Sequence, residues 1–313
     1  MRGTTKTLLT WFAAAGLVAF VAVAHARAQH DANPFIDHGD RGEVIHVLPA
    51  PAALHNPRFD QPTDYDPING TQVFPASYGN GPLTDHGGPE IPSAGFRAVY
   101  WNSSVANSTA SSSKLPIKTV IDNFSIAFST SPDYTIIQQY GTRNTIANTL
   151  DHGGFAIYSQ STQSRISDSG IQSFLKSLFT SGQEQVDPNT VYGVYFPSGM
   201  KVSLQGGTSC SAFCGYHSHF TYNGLLIKYA VFPYTDCRAC SVSGKTVADI
   251  LTIVTSHEIR EAVTDSLGTA WYDSQGYEAD DKCAWHNLYQ MTNGSAWVQP
   301  EYSNANNGCV VPK

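Results

Sequence analysis

His257, Glu258 and Glu261 stand together in the stretch Thr246–Leu267 (TVADILTIVTSHEIREAVTDSL), and their types and spacing suit holding a cation and moving a proton. Val247, Ile250, Leu251, Val254 and Ala262 recur at helical spacing, so the stretch is expected to be a helix with one face buried. His257 and Glu261 then lie one above the other on a single face. Glu258 sits roughly 100° round the helix, near enough to reach the same cleft. An imidazole and a carboxylate so placed are two ligands for zinc, and a second carboxylate beside the first ligand is a candidate general base.

This is the layout of H-E-x-x-H metallopeptidases with Glu261 in place of the second histidine. A catalytic zinc needs a third protein ligand and an open position. Glu278 is the candidate third ligand and Asp281 its alternative, because both lie in the acidic, aromatic stretch Ala270–Trp285 around Cys283. Asp265, two turns beyond His257 on nearly the same face, is a further ligand or a group supporting one. The competing reading makes Glu258, Arg260 and Glu261 a solvated face and leaves the loop carboxylates to cap turns. A set of one imidazole and two carboxylates also suits calcium or manganese. His217 and His219, two apart on a strand-like segment, point the same way and are weaker candidates. Asp151-His152 and Asp85-His86 are isolated pairs in glycine-rich loops.

The elements that must carry these residues alternate. Phe96–Trp101 reads as a strand, and a helix with Ile117, Ile121, Phe124 and Phe128 on one face follows Pro116. Thr135–Tyr140 reads as a strand, Asp168–Thr180 as a helix, and Val191–Phe196 and Leu225–Phe232 as strands. The expected fold is a single α/β or α+β domain over 81–313, with a central mixed sheet flanked by helices, a zincin-like helix and disulfide-containing loops. Residues 29–80, rich in Pro, Asp, Asn and Gly, read as an extended, partly disordered lead.

Residues 1–28 read as a signal peptide, with Arg2 and Lys6 before the apolar run Leu8–Ala24 and small residues after it. A secreted, extracellular chain without membrane attachment after cleavage is the expectation. The net charge of −7 and the absence of a basic run argue against nucleic acid as a partner. Six cysteines (Cys210, Cys214, Cys237, Cys240, Cys283 and Cys309) suit three disulfides in an exported chain. Cys210, Cys214, Cys237 and Cys240 also have the spacing of a zinc knuckle. Cys283 with Cys309 is the remaining pair, and it would staple the carboxylate loop to the C-terminus.

Four blocks carry a family likeness in order: HGGPEI (His86–Ile91) before FRAVYW, CSAFCGYH (Cys210–His217), PYTDCRAC (Pro233–Cys240), and SHEIREAVTD, AWYD and YEADDKC between Ser256 and Cys283. From about Tyr78 onward the chain resembles the EXORDIUM-like, or phosphate-induced protein, family of secreted proteins. His257, Glu258, Glu261, Ala270-Trp271-Tyr272, Glu278, Asp281 and Cys283 fall on the family pattern. Ser266 stands where a Pro commonly follows, and Ala279 where an Ile-Gly pair separates the carboxylates. The resemblance implies an extracellular, cell-wall-associated protein and brings no reaction with it. Two functions compete: a secreted zincin-like metallohydrolase acting on peptides through a metal-activated water, and a non-catalytic protein binding wall polysaccharide or a protein partner around a structural metal. A glycosidase using Glu258 and Glu278 ranks last, since it leaves His257 and Glu261 without a role.

Overall fold

The chain is seen in a computed structural model that describes residues 33–54, 71–109, 114–292, 294 and 296–312. The expected signal segment lies outside the described residues. Seven strands form one mixed sheet: β1 (Ile36–His38), β2 (Val44–Pro49), β3 (Gly95–Tyr100), β4 (Asp151–Ile157), β5 (Thr190–Tyr195), β6 (Phe213–Tyr222) and β7 (Leu225–Phe232). Their spatial order is β1-β2-β6-β7-β5-β3-β4. Strands β4, β3, β5 and β7 are mutually parallel, and β6, β2 and β1 continue the sheet in antiparallel steps.

Three longer helices accompany the sheet: α1 (Ile117–Phe128), α2 (Asp168–Thr180) and α3 (Val247–Thr264). Neighbouring side chains of a strand point to opposite faces. On β6 the Tyr216 hydroxyl donates to Asp168 Oδ1 of α2 at 2.7 Å, while His217 meets Glu258 of α3 at 3.2 Å. Hence α2 covers one face and α3 the other, with α1 packed beside α3. The four apolar residues expected on the core face of α1 are all fully buried.

Helix α3 starts with a capping box, in which Thr246 Oγ1 accepts from the Asp249 N–H at 3.1 Å and Asp249 Oδ2 accepts from the Thr246 N–H at 2.8 Å. Apart from Asp249 every residue of α3 is buried. This corrects the expected single buried face, and it removes the solvated-face reading of Glu258, Arg260 and Glu261. The reason is the C-terminal segment, which folds over the side of α3 away from the sheet. Thr252 Oγ1 donates to the Trp297 carbonyl at 2.8 Å, and Arg260 reaches the carbonyls of Asp133 and Gln299.

Two further expectations are corrected. Within the stretch read as a lead, described residues supply β1, β2 and a strand at Gln72–Phe74 that pairs with Gly308–Val311. Ile45, Val47 and Leu48 are buried there, and strand pairing outweighs the loop-like composition around them. Thr135–Tyr140 is no strand. Ser131 caps a one-turn helix at Pro132–Thr135, which runs into a 3₁₀ turn at Ile136–Tyr140. Ser followed by Pro at the first helical position is a helix-start signal, and it overrides the β-branched residues after it.

All six cysteines are paired, as Cys210–Cys237, Cys214–Cys240 and Cys283–Cys309. The first two pairs exclude a four-thiolate zinc knuckle, because a disulfide sulfur offers no thiolate. Three disulfides fit an oxidising compartment. Among the described residues no helix is long and apolar enough to cross a membrane.

Candidate metal centre

The middle of α3, strands β2 and β6, and the loop 278–283 meet at one buried cluster. Gly215 on β6 lets the helix come this close: a Cβ there would sit 2.3 Å from Val254 Cγ1 and 3.0 Å from Glu258 Oε1. The helix contributes His257, Glu258 and Glu261, all at most 1 % exposed. Strand β6 contributes His217, and β2 contributes His46, its register partner.

Each carboxylate has an oxygen turned toward an imidazole. His257 Nε2 lies 3.0 Å from Glu261 Oε2 and 3.6 Å from Asp281 Oδ1. His46 Nδ1 lies 3.0 Å from Glu278 Oε2, and His217 Nε2 lies 3.6 Å from the same oxygen. His217 Nδ1 lies 3.2 Å from Glu258 Oε2 and 3.7 Å from Glu261 Oε2. Backbone N–H groups of the loop hold the second oxygens of Glu261 and Asp281. The Asp281 N–H donates to Glu261 Oε1 at 2.9 Å, and the Glu278 N–H donates to Asp281 Oδ2 at 3.0 Å.

Of these imidazole–carboxylate contacts only His217–Glu258 is aligned as a hydrogen bond. His257 Nε2, His46 Nδ1, both oxygens of Glu278 and Asp281 Oδ1 are buried without a hydrogen-bond partner. His257 Nε2 with Glu261 Oε2, and His46 Nδ1 with Glu278 Oε2, are each 3.0 Å apart without forming a hydrogen bond. Two ligands bound at about 2.1 Å to one metal are roughly 3.0–3.4 Å apart, so the donor set fits a cation. The set is nitrogen and oxygen throughout, which suits zinc or manganese. Burying such groups unpaired would otherwise cost several kcal/mol each, on the order of the penalty for an unmatched buried ion.

The electrostatics agree. Burial pushes His257 down to about 4, with Asp280 opposing that shift, and pushes His46 down to about 4 with His257 adding to it. Burial, then His46 and His257, hold His217 well below the usual imidazole range. The three rings are therefore neutral at pH 7 and offer lone pairs. Burial pushes Glu258 well up, and the neighbouring Glu261 and Asp281 push it further. The ion-pair partners of Glu258, Glu261, Glu278 and Asp281 among the described residues are histidines.

The residues singled out in the sequence thus fall as follows. His257, Glu261 and Asp281 come together with ligand atoms within 4.8 Å of one another, and Glu258 stands beside them against His217. Glu278 faces His46 and His217 rather than His257. Among the described residues Asp265 forms no ion pair with the histidines of the cluster. It ends α3 by accepting the Thr269 and Ala270 N–H groups at 2.6 and 2.7 Å. His219 is half-buried at the rim, His152 pairs with Asp122 at 3.1 Å, and His86 stacks on Tyr272 with ring centres 3.6 Å apart. None of these three joins the cluster.

Two participants escaped the sequence. His46 sits in the segment read as a lead, and only its β2 neighbours Ile45, Val47 and Leu48 hinted at a buried strand. Arg260 donates to both oxygens of Asp280, through Nε at 3.0 Å to Oδ2, and pairs with Glu301 at 3.2 Å. It pins the loop carrying Glu278 and Asp281 onto the helix. A cleft of about 200 Å³ lined by Val44, His46, His217, His219 and the loop Ser266–Thr269 opens onto the His46 side of the cluster.

Comparison of the chain with models of known protein families, with curated proteins and with solved structures gave no match.

Proposed function

We propose that the chain is a secreted metal-dependent hydrolase, a zincin-like enzyme of the EXORDIUM-like family, with peptide bonds as its substrate. The observation behind this reading is that His257 Nε2 lies 3.0 Å from Glu261 Oε2 and 3.6 Å from Asp281 Oδ1, with ligand atoms of all three residues within 4.8 Å of one another and Glu258 adjoining them. A cation held by these three would polarise the scissile carbonyl and acidify water. Glu258, in this reading, takes a proton from the attacking water and returns it to the leaving amine. The raised proton affinity of the Glu258 carboxyl suits both halves of that transfer. His217 Nδ1 and Glu258 Oε2 share a hydrogen bond of 3.2 Å, which orients the carboxyl. The cleft, below the ~300 Å³ at which small-molecule sites usually begin, admits one side chain or chain end rather than an extended peptide.

Glu258→Gln tests this reading. It keeps the shape of the site and removes the base, so hydrolysis should fall by about 10²–10⁴-fold while bound metal is retained. Equal activity in the variant would remove the base from the mechanism. A second reading rests on the complete burial of His257. There the cation, with calcium as a further choice of metal, is structural, and the protein binds wall polysaccharide or a protein partner through its surface. Glu258→Gln would then leave binding and function unchanged.

A further inference from the structure

We infer that the cluster holds a second divalent cation, bound by His46 Nδ1, His217 Nε2 and Glu278 Oε2 and bridged to the first through Asp281. This rests on reading the cluster as cation-binding and does not depend on any hydrolysis.

Three observations carry it. His46 Nδ1 and Glu278 Oε2 are 3.0 Å apart, both buried and both without a hydrogen-bond partner, while His217 Nε2 lies 3.6 Å from the same Glu278 oxygen. This repeats the geometry at His257, Glu261 and Asp281 on a separate set of side chains. The tautomer of His217 also suits it. Its Nδ1 shares a hydrogen bond with Glu258, and the tautomer with the proton on Nδ1 would leave the Nε2 lone pair facing Glu278.

The second observation is the sharing of Asp281. Donor atoms of His46, Glu278 and Asp281 lie within 4.8 Å of one another, as do those of His257, Glu261 and Asp281. A carboxylate common to two donor sets is the bridge of two-metal sites, whose ions sit about 3.5–4 Å apart.

The third is charge. Glu258, Glu261, Asp265, Glu278 and Asp281 are buried, and Arg260 is committed to Asp280 and Glu301. Asp265 accepts the Thr269 and Ala270 N–H groups, which leaves four carboxylates set against the histidines. A single divalent cation would leave two of them buried and unmatched, whereas two cations match all four. The second position also adjoins the cleft, since His46 and His217 line it, so a cation can enter there. Gly268 keeps that passage tight against His46: its backbone is left-handed at φ +68°, and a Cβ would come 3.3 Å from His46 Nε2.

The test is calorimetric titration of the full, metal-stripped chain with Zn²⁺, and separately with Mn²⁺, for the parent, His46→Ala, Glu278→Gln and His257→Ala. Circular dichroism confirms that each variant is folded, and Glu278→Gln, nearly isosteric, stands in if His46→Ala is not. Two equivalents in the parent, falling to one in each folded variant, is the expected result. One equivalent in the parent that His46→Ala and Glu278→Gln leave intact overturns the second site while the His257 site stands. One equivalent that every variant abolishes also overturns it, in favour of a single shared site. No binding in the parent removes both. Two equivalents without peptide hydrolysis would retain the second cation and refute only the enzyme.

Discussion

His46 and His217 are register partners on the adjacent strands β2 and β6, their rings stacked with centres 5.7 Å apart. Two residues far apart in the chain thus present neighbouring nitrogens to one helix. The sheet makes this pair, and the helix turns it into a site by bringing Glu258 and Glu261 against it. The separation between sheet and helix is therefore the dimension on which the cluster depends.

Gly215 sets that dimension. Replacing it by Ala places a methyl 2.3 Å from Val254 Cγ1 and 3.0 Å from Glu258 Oε1. Overpacking of this kind costs about 1–3 kcal/mol. Gly215→Ala is expected to lower the urea midpoint accordingly and to weaken cation binding at the same time. Unchanged binding in the variant would mean that the cluster tolerates a wider gap.

Part of this arrangement was legible in the sequence. The periodicity of Val247, Ile250, Leu251 and Val254 located α3, and the spacing of His257 and Glu261 placed both on one face. Asp281 was within reach because it follows closely and Cys283 ties the loop down. His46 was not legible, since β2 is short and its pairing with β6 is a long-range contact that local composition does not encode. The full burial of α3 was hidden for a related reason: the polar face of the helix is covered by loops, whose paths leave no periodic signal. A solvated face was the competing reading of those charges, and they are instead buried, Arg260 against Asp280 and Glu301, and Glu258 and Glu261 against histidines.

Arg260 holds the loop carrying Glu278 and Asp281 in place, so its removal should be felt at the cluster. Arg260→Met leaves Asp280 and Glu301 buried without their counter-charge. Breaking a buried pair costs about 3–5 kcal/mol. The variant is expected to unfold at correspondingly lower denaturant and to lose cation affinity. A stability within about 1 kcal/mol of the parent would show that the guanidinium is not essential to the loop.

Asp265 gives a pH signature. Burial pushes its carboxyl up to about 6 from 3.8. The folded state therefore binds the proton more tightly than the unfolded chain, and the group's contribution to stability is largest below about pH 4 and is lost as pH rises through 6. In the Asp265→Asn variant the amide keeps the acceptor for Thr269 and Ala270. That variant should retain the fold and lose this slope of stability between about pH 4 and 6, measured by thermal melts. An unaltered slope would place the titration elsewhere.

The Cys283–Cys309 bridge anchors the same loop to the last strand. A Cys283→Ser, Cys309→Ser chain should lose about 2–4 kcal/mol of stability. Its cation affinity should fall further than that of a chain lacking Cys210–Cys237, neither cysteine of which lies in loop 278–283. Equal losses of affinity in the two would separate the disulfide from the site.

The decisive measurement is the metal content of the purified chain beside His257→Ala, together with the melting temperature before and after chelation. At least one equivalent of zinc, manganese or calcium is expected, reduced in His257→Ala, with chelation lowering the parent's melting temperature by about 5–10 °C. A parent chain that takes up none of these metals, and melts at the same temperature with or without them, would contradict the reading of His257, Glu261 and Asp281 as a cation site.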